Sequence, residues 1–391
     1  MTKAAARPEA SDDGLCLVTV ASGIAANAAV VTAVLGRPLL WVGPHFRGRS
    51  AGVVGWGMRQ TRQRLSALAL AERRRLPYWS LEDAPLRSVT PGEAERPLGV
   101  VVDTKGMFFD ASRPSDFEDA VARAVAAADP ARRARAQAAI AAMRAARLSK
   151  YNGDGAPPPP ILRGDRRRVL VVDQTLGDAA VGGALADAGA FRRMLLAARD
   201  EHPGAAILVK VHPEVARGRK RGFLLDLAQK TGAHVLDQPV NPWDVLDAVD
   251  RVYVVASMLG FEALAAGRPV TCFGAPFYAG WGLTDDRGPP RPRPAQATVE
   301  DLFGALHFDY ARYVDPFTDA RIELEQAIEI MADLRRYYLV HGAIRPETRI
   351  RRGTWRDLRL RLQSEYRRAR LWQRRGRFYA GASGAIDREE P

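Results

Sequence analysis

Cysteine is nearly missing from this chain: Cys16 and Cys272 are the only two, far apart and each in an apolar setting. That excludes a disulfide-stapled framework and a cysteine-built metal site, and it fits reduced core thiols of a cytoplasmic protein. Histidine is scarce as well, with six residues scattered over 391. No D-x-D sits in a suitable loop either, so no metal is expected in the chemistry. Long apolar runs are absent: no window approaches about 18 apolar residues, which excludes a spanning helix. The first residues, "MTKAAARPEASDDG", carry acids and no apolar stretch of the kind a signal peptide needs. No strand is followed by G-x-G-x-x-G and there is no P-loop, which disfavours a dehydrogenase and an NTPase.

Arginine is what the chain has in excess. The net charge is +13 and the pI about 10.2, which calls for a polyanionic partner such as nucleic acid, anionic lipid or phosphorylated substrate. From Arg345 to Arg377, "RPETRIRRGTWRDLRLRLQSEYRRARLWQRRGR" holds thirteen arginines against Glu347, Asp357 and Glu365. Interleaved with Trp355, Leu358, Leu362, Tyr366 and Trp372, this tail reads as a basic amphipathic helix resting on a membrane surface. A solvated arginine-rich helix is the plainer alternative. Nucleic acid is set aside because no recognition motif accompanies the charge.

The length and a 47% hydrophobic content imply more than one domain. Residues 14–150 alternate short apolar runs ("LCLVTV", "RPLLWVG", "LGVVVD") with helical stretches, one of them the long "FEDAVARAVAAADPARRARAQAAIAAMRAARLSKYN". "GDGAPPPP" then breaks the pattern as a stiff spacer. From Val169 to about Thr284 a strand–helix rhythm follows, which predicts a parallel sheet covered on both faces, with ligands beyond the strands' carboxyl ends. The expected division is therefore 1–160, 161–316 and a helical, Arg-rich 317–391. Two Rossmann-like halves joined by a proline linker outline a GT-B-like α/β fold.

Polar residues collect at those strand ends. "VLVVDQTLGDAAV" places Asp173, Gln174 and Asp178 after a buried strand, where a carboxylate can act as nucleophile or general base or can simply cap a turn. "LVKVHPE" puts Lys210 and His212 on one strand face, suited to neutralising a phosphate. Ser257 opens a helix whose free N–H groups favour anions. Glu262, in that helix's first turns, either complements the dipole or grips a ribose. "FGAPFYAGWGLTDDR" offers Tyr278 and Trp281 as a sugar-stacking platform or as a packed corner. In the first half, "LPYWSLEDAPLRSV" supplies Glu82 and Asp83, a candidate general base or a surface loop, with Arg87 beside them as an acceptor contact.

These strings, together with "GWG" from Gly55, "GMFFDASRPSD", "RLSKYN", "NPWDVLDAVDRVYVVASMLGFEALAAGRPVTCFGAPFYAGWGLTDD" and "HFDYARYVDP", resemble the KpsC-type capsule polysaccharide proteins, in particular their N-terminal β-Kdo transferase module. The likeness covers most of residues 50–316. It implies a retaining, metal-independent GT-B-like enzyme without a cofactor that takes Kdo (3-deoxy-D-manno-octulosonic acid) from CMP-β-Kdo. The acceptor would be a lipid-linked one of the Kdo/phosphatidylglycerol type, and the enzyme would be peripheral on the cytoplasmic face of the inner membrane, near capsule assembly or export proteins. By position Asp178 matches the aspartate that carries a covalent Kdo intermediate. Gln174, Lys210, His212, Ser257 and Glu262 would then surround the CMP-sugar, with Asp173 and Glu82 as further catalytic carboxylates. Full-length relatives carry two such modules and this chain one. Ala84-Pro85 stands where the family usually shows Gly-Phe, on the acceptor side. Another GT-B nucleotide-sugar enzyme, or a non-catalytic capsule assembly partner, are the rival readings.

Overall fold

The computed structural model describes residues 15–350, with the exception of 93, 94 and 217. The tail from residue 351 onward, where most of the expected membrane-associating helix falls, lies outside the described residues. Two compact units emerge. The division falls at Trp56–Gly57 and Trp79–Ser80, and the proline run lies within the second unit.

The described residues of the first unit are 15–56 and 60–79. The unit holds β1 (Leu17–Thr19), α1 (Ser22–Ala26), α2 (Ala28–Leu35), β2 (Leu39–Trp41), β3 (Gly52–Trp56) and α3 (Arg62–Arg74). β1 pairs in parallel with both β2 and β3. α3 begins at Thr61, whose hydroxyl accepts the Arg64 N–H, and closes on the Arg75 left-handed cap. Val18, Val53, Ala67, Leu70 and Ala71 make its core.

β4 (Tyr78–Asp83) leads into the second unit, residues 57–59 and 80–350, followed by β5 (Gly99–Asp103), α4 (Asp116–Ala127) and α5 (Pro130–Ala145). α4 and α5 replace the one long helix expected from the sequence. Ala128 turns left-handed at the end of α4, and the Asp129 carboxylate then caps α5, with Pro130 at its first position. Next come β6 (Arg168–Val172), α6 (Ala179–Gly183), α7 (Ala188–Glu201), β7 (Ala206–Lys210), α8 (Pro213–Ala216), α9 (Leu225–Thr231) and β8 (His234–Leu236). α10 (Pro242–Asp247), β9 (Arg251–Val254), α11 (Met258–Ala265), β10 (Val270–Cys272) and β11 (Asp285–Asp286) complete the β–α alternation. α12 (Val299–Gly304), a π-helical turn over Ala305–Tyr310, β12 (Ala311–Val314), β13 (Arg321–Ile322) and α13 (Leu324–His341) end the described chain.

The predicted parallel sheet is there, in the order β11-β10-β9-β6-β7-β8. Its central strands are buried on both faces, which is why they read as continuous apolar runs. The unit's other strands run antiparallel in the order β4-β5-β12-β13. The described residues between 84 and 98 form no crossover helix, so a parallel return is out of reach. The result is a mixed α/β chain with a Rossmann-like parallel layer in each unit, the class expected from the sequence.

Candidate functional site

Every candidate site residue named above lies in the second unit. β6 ends at Val172, and Asp173 turns its carboxylate into the protein, where it is only 3% exposed. It accepts the backbone N–H groups of Gln174 (2.9 Å), Phe223 (3.0 Å) and Leu224 (3.3 Å). Burial pushes its pKa up, and these three donors pull the other way. The carboxylate pins the end of β6 to the start of α9. Asp173, expected among the catalytic residues, is thus committed to holding the loop.

Asp178 is placed differently. Gly177, at φ +81°, turns the chain in a conformation that suits glycine, and Asp178 then caps the short helix α6 through Ala180 N–H (3.0 Å). Its second oxygen accepts the Gln174 amide at 3.1 Å, while the Gln174 carbonyl accepts Ala256 N–H at 3.0 Å. Those two contacts orient the buried amide and tie the half-buried Asp178 to the turn between β9 and α11. A half-buried carboxylate held by two donors has the fixed orientation that a nucleophile or a base needs.

Beyond β7, His212 Nδ1 accepts the Glu214 N–H at 3.1 Å. The neutral ring then carries its proton on Nε2. Burial and Lys220 lower its pKa, against the pull of Asp178 and Glu214, so His212 lies within the field of Asp178. Lys210, two residues earlier, has its pKa lowered by burial, opposed by Asp154 and Glu262. Ser257 caps α11 by accepting the Leu259 N–H at 3.3 Å. Glu262, on α11, accepts the Ser149 hydroxyl at 2.5 Å. Burial pushes its carboxyl up to about 7 even though the Ser149 hydroxyl, Lys210 and Lys150 favour its ion.

Glu82, at the end of β4, accepts Asp83 N–H at 3.0 Å. Burial raises its pKa, opposed chiefly by Lys150. Gly57, at φ +62°, runs so close that a side chain there would meet Glu82 Oε2 at 3.1 Å. Arg87 is buried; it ion-pairs with Asp83 at 2.9 Å and donates to Ser88 Oγ at 2.7 Å, so its guanidinium is already engaged.

Lys150, within "RLSKYN", stands near these acids as well. Burial works against its ammonium, yet Tyr151, Asp83 and Glu82 outweigh it and raise the pKa. Its segment is clamped: Trp243 Nε1 donates to Leu148 O (2.7 Å), Asn241 to Arg147 O (2.9 Å), and the fully buried Asn152 to Ser88 O and Ser149 O (both 2.9 Å). The signal was present in "RLSKYN" as an asparagine able to close a turn, but an irregular segment has no periodicity to announce it.

Of the two readings left open for "FGAPFYAGWGLTDDR", the packed corner holds, and Tyr278 and Trp281 are withdrawn as sugar contacts. Tyr278 and Trp281 are fully buried. The Tyr278 hydroxyl donates to Ser257 O at 2.6 Å, and Trp281 Nε1 donates to Phe277 O at 2.9 Å beneath the Arg293 guanidinium. These rings pack the corner behind α11 and offer no face to a sugar.

The chain matches the family described as capsule polysaccharide biosynthesis protein over residues 51–158 and 159–313. It is 40% identical over 298 residues to the capsule polysaccharide modification protein LipA of Neisseria meningitidis serogroup B, a match covering 73% of this chain and 41% of LipA. The lipopolysaccharide-processing protein LpsZ of Rhizobium meliloti is 36% identical over 281 residues, 71% of this chain and 63% of LpsZ. The matched part of this chain thus spans less than half of LipA's length. Among solved structures, the β-Kdo 2,4 transferase of Thermosulfurimonas dismutans KpsC aligns with a TM-score of 0.74 at 36% identity, over 82% of this chain and 98% of that one. The β-Kdo 2,7 transferase of the same KpsC reaches 0.53 at 28% identity, over 72% and 85%. The match runs from β3 to β12 and takes in the whole polar cluster, and the chain belongs to the capsule polysaccharide biosynthesis protein family.

Proposed function

We propose that this chain is a retaining glycosyltransferase that moves Kdo from CMP-β-Kdo to a lipid-linked acceptor. The observation that carries the reading is the Gln174 bridge: one amide holds Asp178 and the turn before α11 in a fixed relation. Asp178 attacks C2 of Kdo. The C2–O bond to phosphate breaks, and CMP departs with the bonding pair. Lys210, His212 Nε2–H and the N-terminus of α11 at Ser257 offset the charge on the leaving phosphate. An acceptor hydroxyl then attacks C2 from the face CMP left, the bond to Asp178 breaks, and Glu82 takes the proton. Two inversions give retention, as in retaining glycosidases.

Glu262 is suited to a ribose hydroxyl, and Lys150 adds a cation on the side of Glu82. The greater likeness to the 2,4 transferase of KpsC supports a 2,4 linkage. Metal independence belongs to the same proposal, and activity unchanged by a chelator would support it.

The test is intact-protein mass spectrometry after exposure to CMP-β-Kdo made in situ, without acceptor. Wild type and Asp173→Ala gain the mass of one Kdo, and Asp178→Ala gains none. Donor consumed with no mass gained would rule out the covalent route. No consumption at all would rule out the donor.

A further inference from the structure

The net positive charge of this chain is unevenly placed. The second unit carries thirty-six basic and thirty-six acidic residues, so it is neutral. Within the described residues of the first unit there are eight arginines and a single acid, Glu72. Those eight arginines share a single carboxylate among the described residues of their unit. Such an excess strains a small unit by self-repulsion unless a polyanion meets it.

Much of the excess gathers at one place. Arg73 and Arg74, in the last turn of α3, donate to the carbonyls of Pro44, Arg47 and Gly48. This holds the loop after β2 against the helix end, with the Phe46 ring folded over Gly48 and packed on the unit's core. Arg47, Arg49, Arg73, Arg74 and Arg75 are all exposed there. A cationic last turn complements a helix dipole, but Arg47 and Arg49 lie on the loop and answer no dipole. Trp41, at the root of the loop, is 37% exposed. Its indole N–H donates to Val20 O at 3.4 Å, and tryptophan and arginine are both residue types that seat at a headgroup boundary.

We propose that the loop over residues 43–49 and the last turn of α3 form a docking surface for an anionic lipid bilayer. The choice of lipid over nucleic acid rests on shape. The surface is a short pinned loop with one indole, with neither a helix to enter a groove nor a row of rings on which bases stack. The inference stands apart from the Kdo reading, since it uses no residue of the catalytic cluster.

The test is co-sedimentation of the full chain with vesicles of phosphatidylcholine alone or with about 30% phosphatidylglycerol at about 0.1 M salt. The Arg-rich tail is present in every variant, so its contribution cancels. Wild type is expected to pellet with the anionic vesicles, and Arg47→Ser with Arg49→Ser to weaken partition about 25-fold, at about fivefold per arginine. Arg47→Lys with Arg49→Lys keeps most of the binding. Should the double serine variant melt early, Arg49→Glu alone must still weaken partition at least about fivefold. Unchanged partition of a folded variant or equal binding to neutral vesicles would overturn the proposal, as would a double serine variant that loses duplex-DNA binding and keeps vesicle binding.

Discussion

Glu262 binds its proton more tightly in the folded chain than in the unfolded one, because burial pushes its carboxyl up to about 7. The sign follows from linkage. Below its unfolded pKa of about 4.5 both states are protonated and Glu262 is neutral to stability. As pH rises from there, the unfolded chain releases the proton first, so wild type loses stability until pH passes about 7. Urea midpoints of wild type and Glu262→Gln, compared across that range, should therefore separate with rising pH and then run parallel. Parallel behaviour throughout would mean that Glu262 ionises as freely in the fold as in water. The two acids after β6 were legible in the sequence as a pair because acids seldom follow a buried strand without a task. Their different settings were not: Asp173 is held by Phe223 and Leu224, fifty residues on, and no local pattern carries that.

At the scale of elements, β6 and α9 are joined through one carboxylate and one glycine. A Cβ on Gly222 would stand 2.2 Å from Asp173 Oδ2. Gly222→Ala must push Asp173 off its three backbone donors, which should cost roughly 2 kcal/mol in a denaturant melt. Gly23→Ala in α1 meets open space, and it should not destabilise the chain. The strand–helix rhythm of 169–284 was readable because each apolar run has its own helix after it. The antiparallel β4-β5 pair was harder, since sheet direction depends on what the intervening residues do. Tyr278 and Trp281 stayed ambiguous for a related reason: an aromatic set among glycines looks the same in sequence whether its ring meets a sugar or the back of α11. The break between α4 and α5 was written in Asp129-Pro130 and was outweighed by the alanines around it.

For the molecule as a whole, the charge excess belongs to the first unit and the tail, while the second unit is balanced. Repulsion among exposed arginines is screened by salt, whereas partly buried pairs such as Arg133–Asp301, at 2.8 Å, are screened far less. Raising salt from about 0.05 M to about 0.5 M should stabilise the chain, by roughly 1 kcal/mol in a thermal melt followed by circular dichroism. A fall in melting temperature would show that ion pairs, and not repulsion, dominate its electrostatics.

Both native thiols are hidden: Cys16 and Cys272 are buried, and burial raises the pKa of each. Thiolate is the reactive form, so neither competes for an alkylating dye while the chain is folded. Leu176, 47% exposed and two residues before Asp178, can therefore be exchanged for cysteine without first stripping the chain of its own. A fluorophore attached there would sit beside the Gln174 bridge and report on the loop in real time, in a background that is already optically silent.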